Sequence, residues 1–312
     1  MKKILITGVT GFIGSNLVRY FNSQNDFVIF GHSRDGKRAS VQFENAHVEM
    51  IETYSAAILN DRKINAIIHL AGIAHDLSNQ YQPDDYDLVN YGNTKVLFDE
   101  FVKSNTTKFV FLSSIKAAID TSPFPADESI APSPVTEYGK SKRKAEKYVL
   151  SNPLVGGKKV YILRPCMIHG LGNKGNLNLL YRYAKTGFPF PFGSFENRRS
   201  FLSIDNLNFM ILSIIEKDIP SGIFHVADEG DMSTKELYKL IVNEIGKTPK
   251  VWNLPTGFVR LLFSLVGKKA MLDKLTENML VSNNKILQYI DSPLPVEMHK
   301  GLKKTISSFN GK

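Results

Sequence analysis

Short apolar runs rich in branched and aromatic residues alternate with amphipathic stretches along the first two thirds of the chain. The runs at residues 3–7, 27–30, 48–51, 66–70, 109–113, 160–164 and 223–227 have the length and composition of buried strands. Between them, 15–22, 93–104 and 140–150 carry apolar residues at helical spacing. Strand–helix alternation with nearly continuous apolar strands predicts an α/β fold, a parallel sheet covered by helices on both faces. After about residue 167 the pattern changes: Gly, Asn, Pro and aromatic residues crowd 170–199, which reads as loops and short helices. The expected division is a main domain over 1–167 and a region over 168–312 that is mostly for substrate binding. A segment near 201–228 is expected to return to the main domain. Open α/β sheets take ligands at the C-terminal ends of their strands, where such an elaboration would sit.

Composition narrows the classes. A chain of 312 residues, 43% hydrophobic and 22% charged, can bury a full core without disulfides. Cys166 is the single cysteine, so no intrachain disulfide forms, which fits a reducing, cytoplasmic setting. The N-terminal MKKILITGVTGFIG has too short an apolar run for a signal peptide and reads as a first strand. No stretch reaches the roughly 18 apolar residues of a membrane span. The longest candidate, 257–266, is interrupted by Arg260 and stops at Gly267-Lys268-Lys269. It reads as a surface or core helix, with contact to a membrane surface as the alternative. The formal net charge of +9 suits an anionic ligand. The cations are dispersed, and there is no recognition helix or zinc-type spacing. A phosphate-bearing small molecule is therefore expected, with no nucleic acid and no metal.

The first strand runs into Gly8-Val9-Thr10-Gly11-Phe12-Ile13-Gly14 and then a helix. The G-x-x-G-x-x-G spacing departs from G-x-G-x-x-G, but the physics is shared. One glycine permits the tight turn, one lets a pyrophosphate approach the backbone, and one allows close helix–strand packing. The helix N-terminus then offers free N–H groups to the phosphates. Gly8, Gly11, Phe12, Ile13 and Gly14 are the cofactor-binding candidates here. After the second strand, Phe30-Gly31-His32-Ser33-Arg34 lacks the acid that would hold the ribose 2′-OH of NAD. Asp35 lies too far along. Ser33 and Arg34 are assigned to the cofactor, Arg34 as the partner of a 2′-phosphate. NADP(H) is favoured and NAD(H) is the alternative.

Tyr138 and Lys142 stand at i and i+4 and share a helix face. A free phenol has a pKa of about 10, and a neighbouring ammonium together with a positive nicotinamide ring favours the phenolate. Tyr138 could then exchange a proton with a sugar oxygen while hydride moves, and Lys142 could also hold the nicotinamide ribose. Ser113 and Ser114 end the strand one unit earlier. Ser114 is the preferred hydroxyl partner, with Ser113 as the alternate.

With the glycine turn, His69-Leu70-Ala71-Gly72, Asn90 in LVNYGNT, the Ser–Tyr–Lys set and Leu163-Arg164-Pro165, the chain resembles the extended short-chain dehydrogenase/reductases. More narrowly, it resembles the NAD-dependent epimerase/dehydratase group. The resemblance implies a Rossmann-type doubly wound parallel sheet. It also implies that Leu70, Ala71, Gly72, Asn90 and Pro165 join Tyr138 and Lys142 around the cofactor. Segments 174–180, 189–207 and 224–228 are similar to nucleotide-sugar 4-epimerases and 4-ketoreductases of surface polysaccharide synthesis. By that likeness Asn176 and Arg199 contact the diphosphate, and Pro191, Phe192 and Gly193 line the base. Ser200 and Ser203 replace the family's Asp and His beside Arg199. The alternative for Arg199 is an ion pair with Asp205. His169 replaces a family Tyr and reads as a polar core residue. A homodimer through helices 93–104 and 140–151 is implied as well.

Two departures bear on the reaction. Ile115-Lys116 stand where family dehydratases carry Asp-Glu, which argues against dehydration. The segment after Ser114 also lacks the aromatic and glycine of typical 4-epimerases. The leading expectation is a 4-keto-sugar reductase acting on a UDP-linked sugar. The alternative is a UDP-hexose or UDP-N-acetylhexosamine 4-epimerase. A non-catalytic dinucleotide sensor is the remote third, disfavoured by the intact Tyr138–Lys142 pair.

Overall fold

The computed structural model describes residues 1–34, 43, 47–73, 81–173 and 175–309. Asp35 and Lys174 lie outside the described residues. The expected strands form one parallel sheet of seven: β1 (Lys2–Thr7), β2 (Phe27–His32), β3 (Val48–Met50), β4 (Ala66–His69), β5 (Lys108–Leu112), β7 (Lys159–Pro165) and β10 (Gly222–Val226). Their order is β10-β7-β5-β4-β1-β2-β3. This is the doubly wound arrangement, in which the order reverses beside β1 and opens a crevice at the C-terminal strand ends.

Strand periodicity explains the two covered faces. Ile4 and Ile6, Ile68, Val110 and Leu112, and Tyr161 and Leu163 point to one side, where Leu17, Val18 and Phe21 of α1 (Phe12–Asn22) meet them. Leu5, Ile67, Phe109, Phe111, Val160 and Ile162 point to the other. There Leu97, Phe98 and Phe101 of the helix Asn93–Lys103 cover them, together with Ala145 and Val149 of the helix Glu137–Ser151. With side chains alternating across each strand, both sets are necessarily apolar.

Four short strands escape a reading by periodicity. β6 (Ser122–Ala126) pairs with β11 (Met279–Val281), and β8 (Met167–His169) with β9 (Phe201–Ser203). β8, β9 and β11 have three residues each, too few to show an alternation, and β6 carries two prolines in SPFPA; each pairs across a long stretch of chain. Beyond β8, a second core gathers Leu177, Tyr181, Phe190, Phe192, Phe195, Tyr238 and Ile241. Helix Ile204–Glu216 and β10 return to the main sheet, and Leu207, Met210, Ile211 and Ile214 join the core on the α1 side.

Under the helix Glu137–Ser151 lies an ionic network centred on the buried Glu146 and Arg164. Arg164 donates to Glu146 through Nε at 2.8 Å and Nη2 at 2.6 Å. Ser113 Oγ donates to the same carboxylate at 2.6 Å, and Arg143 Nη1 at 3.1 Å. Arg164 Nη1 also reaches His225 Nε2 at 3.4 Å, while the other ring nitrogen faces the Ala126 carbonyl at 3.0 Å. Removing one member of a buried pair strands the other charge. Glu146→Leu should therefore lower the unfolding free energy by about 3 kcal/mol, read as a fall in the urea midpoint. An unchanged midpoint would mean that this network contributes no stability.

Candidate active site

The glycine turn is built as its spacing implies. Gly8 has φ +71°, and a Cβ there would lie 2.8 Å from Cα and N of Ala71. The first turn is thus pressed against the segment after β4. A Cβ on Gly14 would meet Val9 Cα at 2.8 Å and the Gly8 carbonyl oxygen as well. Gly11 caps α1 without a side-chain hydrogen bond among the described residues, and no acidic residue occupies the first turn of α1. The N–H groups of that turn and the positive end of the helix therefore face the crevice, which is what a pyrophosphate requires. Past β2, Ser33 Oγ lies 3.1 Å from Thr10 Oγ1 and ties the strand end to the turn, and Arg34 follows as an exposed residue. These residues fit a dinucleotide.

Across β4 the segment Leu70-Ala71-Gly72 closes the other side. Asn90 is buried behind it: its Oδ1 accepts from the Ile73 N–H at 2.8 Å, and its Nδ2 donates to the Ile73 carbonyl and to Ser141 Oγ, both at 3.0 Å. A Cβ on Gly72 would sit 2.8 Å from Asn90 Oδ1 and 3.2 Å from Lys142 Nζ. Asn90 is thus a bracket that shapes the crevice wall and joins it to the helix Glu137–Ser151. His69 is likewise scaffold, hydrogen-bonded to Thr7 at 2.6 Å and Thr94 at 2.9 Å. Burial, with Lys142 and His32 adding to it, drives its pKa to about 3, so the ring is neutral.

Helix Glu137–Ser151 begins at Thr136, whose side chain accepts from the Gly139 N–H at 3.1 Å. A Cβ on Gly139 would press into the backbone of Lys116, so the helix and the turn Ile115–Ala117 approach at van der Waals distance. This brings Tyr138 beside Ser114, whose hydroxyl acts to lower the phenol's pKa. Lys142 Nζ donates to the Leu112 carbonyl at 2.9 Å and lies 4.9 Å from the centre of the Phe111 ring. Burial lowers its pKa to about 8, against the opposing pull of Glu146. The phenolate expectation rests on Lys142 and a positive nicotinamide together, and the protein alone supplies only Lys142. Burial is the largest influence on Tyr138 and pushes its pKa up, the Ser114 hydroxyl pulls it down, and Tyr86 pushes it up again. In the protein alone Tyr138 is a protonated phenol. Sequence reasoning overlooked Tyr86, whose ring stands edge-on to Tyr138 at 6.3 Å.

The two serines separate by partner. Ser113 is committed to the buried Glu146, whereas Ser114 faces Tyr138 and caps the following turn at Lys116 N. Lys116 itself pairs with Asp120 at 2.8 Å. Pro165 is buried at the end of β7, paired with Val226.

The substrate-side candidates are more scattered. Asn176 is exposed at the start of the helix Asn176–Thr186. Arg199 is held through its backbone by Met232 and Met279, and its Nη1 donates to the Glu277 carbonyl at 3.2 Å. Its guanidinium is close enough to Cys166 to pull that thiol's pKa down against burial and Asp228, which together hold it well above normal. The ion pair considered between Arg199 and Asp205 does not form, because Asp205 bonds Lys304 at 2.6 Å. Pro191 is half-buried, but Phe192 packs into the second core against Phe190, Phe195 and Phe263. Gly193 N donates to the Trp252 carbonyl at 3.0 Å. This stretch is therefore scaffold first, and only Pro191 shows open surface. His169 is fully buried beside Thr305 and Asp228, as a polar core residue.

A glycine cradle at a Rossmann crevice, with a Ser–Tyr–Lys set beside it, defines a dinucleotide-dependent oxidoreductase of the short-chain type. Residues 4–227 match the model of the NAD dependent epimerase/dehydratase family, and the chain belongs to that family. It is 30% identical to a UDP-glucose 4-epimerase of Vibrio cholerae over 99% of this chain and 95% of that one. It is 26% identical to a GDP-6-deoxy-D-talose 4-dehydrogenase of Aggregatibacter actinomycetemcomitans over 77% of this chain and 79% of the other. In fold it resembles the UDP-glucuronic acid 4-epimerase of Bacillus cereus in complex with NAD, with a TM-score of 0.77 at 18% identity, over 99% of each chain.

The separation of the serines is directly testable. Ser114→Ala should reduce turnover by about 10-fold to 100-fold and leave the melting temperature unchanged. Ser113→Ala should do the reverse, costing about 1–3 kcal/mol of stability with turnover retained.

Proposed function

We propose that this chain transfers hydride to C4 of a nucleotide-linked 4-keto sugar, as a reductase. The observation that carries the chemistry is Tyr138, a half-buried phenol beside Ser114 and one helical turn from Lys142. A bound nicotinamide dinucleotide supplies the hydride. As hydride arrives at C4, the carbonyl oxygen gains charge, and Tyr138 donates its proton to that oxygen to complete the hydroxyl. Ser114 holds the same oxygen, and Lys142 supplies positive charge beside it. On the substrate side, the proximity of Arg199 to the end of β7 supports a role on the diphosphate, with Asn176 at the opening.

One feature favours net reduction. The β2 end presents Ser33 and exposed Arg34 with no acid among the described residues that follow the strand, which suits NADPH. A second reading, internal oxidation and re-reduction by a 4-epimerase that retains NAD, is favoured by the whole-length likeness to the Vibrio cholerae enzyme. The Aggregatibacter relative carries the name of a net redox enzyme at C4, so the family accommodates both outcomes.

The deciding experiment offers purified protein UDP-4-keto-6-deoxy-N-acetylglucosamine with NADPH and, separately, UDP-glucose or UDP-N-acetylglucosamine with no added cofactor. Stoichiometric loss of NADPH with the keto sugar is expected. Interconversion of gluco and galacto sugars without change at the reduced-nicotinamide band would establish the epimerase instead. Tyr138→Phe should lower turnover by about 10²-fold or more with cofactor affinity nearly intact, and near-normal turnover would remove Tyr138 from the reaction. In a separate titration, NADPH should bind more tightly than NADH, and Arg34→Ala should erase the difference. Equal affinities in the unaltered protein would refute the NADPH preference.

A further inference from the structure

The helix Thr256–Leu265 is amphipathic in the wrong sense for a protein surrounded only by water. Val259 is buried, and Phe263 packs on Phe192 at 5.6 Å, so one narrow stripe anchors the helix to the second core. On another face, Phe258, Leu261, Leu262, Leu265 and Val266 recur at i, i+3, i+4, i+7 and i+8. That is the spacing of a continuous helix stripe. These five side chains are 51%, 58%, 44%, 74% and 64% exposed, so the stripe faces outward. Single exposed apolar residues are ordinary, but a contiguous set marks an interaction surface.

The charge around the stripe identifies the partner. From Ile245 to Leu272 the chain has five cations, Lys247, Lys250, Arg260, Lys268 and Lys269, and no Asp or Glu. Arg260 is engaged with Asp273 at 3.6 Å, and Lys247 donates to the Lys185 carbonyl at 2.8 Å. Lys268 and Lys269 follow the stripe directly and are exposed. An apolar stripe with cations at its end fits an anionic bilayer, where apolar side chains enter the headgroup boundary and lysines meet lipid phosphates. A second copy of the chain fits less well. A ten-residue helix about 15 Å long and 10 Å wide offers on the order of 150 Å², against roughly 800 Å² per partner in a stable dimer. Among the described residues no helix is long and apolar enough to cross a membrane, so attachment would be peripheral.

We propose that the helix Thr256–Leu265, with Val266, Lys268 and Lys269, docks the enzyme on the surface of an anionic lipid membrane. The site is remote in sequence from Ser114, Tyr138 and Lys142, so docking and turnover can be separated by mutation. The test is co-sedimentation of the full chain with vesicles of phosphatidylcholine containing phosphatidylglycerol, and with phosphatidylcholine alone. The unaltered protein should sediment with the anionic vesicles, and added salt should release it. Leu261→Ser/Leu265→Ser should abolish sedimentation, and Lys268→Gln/Lys269→Gln should weaken it by about tenfold. Both variants should keep the melting temperature and cofactor affinity of the parent. Trp252, the sole tryptophan and 56% exposed, gives a second readout as a shift in emission on adding vesicles. Failure to sediment with anionic vesicles, or equal sedimentation with neutral ones, would overturn the proposal. So would a dimer, seen by sedimentation velocity without lipid, that the leucine substitutions dissociate.

Discussion

Glu146 is a carboxylate without water, and four donors from Ser113, Arg143 and Arg164 converge on it. A buried charge of this kind is tolerated only when its lone pairs are filled, so its position is sharply fixed. That position sets the active site, because Tyr138, Lys142 and Glu146 follow one another at four-residue spacing on a single helix face. The deepest member is clamped to β7 by Arg164 and to the end of β5 by Ser113. The middle member bonds the Leu112 carbonyl, and the outermost meets Ser114. The helix cannot slide along the sheet without breaking all three levels at once. Precise placement of an acid and its hydroxyl partner is what catalysis by a few side chains demands.

The same clamp explains why adjacent serines differ. Consecutive residues at a strand end point to opposite sides, so one hydroxyl faces inward to Glu146 and the next faces the crevice. The sequence offers Ser114 as the preferred partner of Tyr138, but the pairing of Ser113 with Glu146 is not visible in it. Glu146 sits in KSKRKAEKYV, where it reads as an ordinary surface charge, and its partner Arg164 lies on a different element. What the sequence did reveal was chemistry with a local signature. Gly8 and Gly14 are legible because a positive φ and a close backbone approach exclude every other residue. Tyr138 and Lys142 are legible because helical spacing brings them together.

Features that depend on packing between distant segments were not legible. Nothing in the sequence shows that the Asn90 amide bonds Ile73 and Ser141. Nor does it show that the Phe192 ring packs with Phe190 and Phe195. Lys142 without a bound nicotinamide does not favour a Tyr138 phenolate. One of its three N–H groups is turned to a backbone carbonyl, and burial penalises both the ammonium and the phenolate. A positive nicotinamide would add the charge that the protein alone withholds, so the protonation of Tyr138 depends on the redox state of what is bound.

A second buried carboxylate does for the substrate-binding region what Glu146 does for the catalytic helix. Asp228 follows β10, and its two oxygens accept from the Ser203 N–H at 3.0 and 2.9 Å, while Asn206 donates to it at 2.7 Å. Asn206 in turn holds the Val296 backbone from both sides of its amide. One side chain thus joins the sheet edge, the strand Phe201–Ser203 and the start of the C-terminal helix Met298–Ser307. Arg199 lies two residues before that strand and Cys166 directly after β7, so both are carried by backbone that Asp228 fixes. The thiol, held protonated by burial and by Asp228, is an inert packing group at this junction and not a nucleophile. In the proposed reaction the sugar's C4 lies against Tyr138 and the diphosphate against Arg199. On that proposal the two carboxylates set one distance between them: Glu146 fixes the helix that carries Tyr138, Asp228 fixes the strand beside Arg199, and the sheet is the rigid element between them.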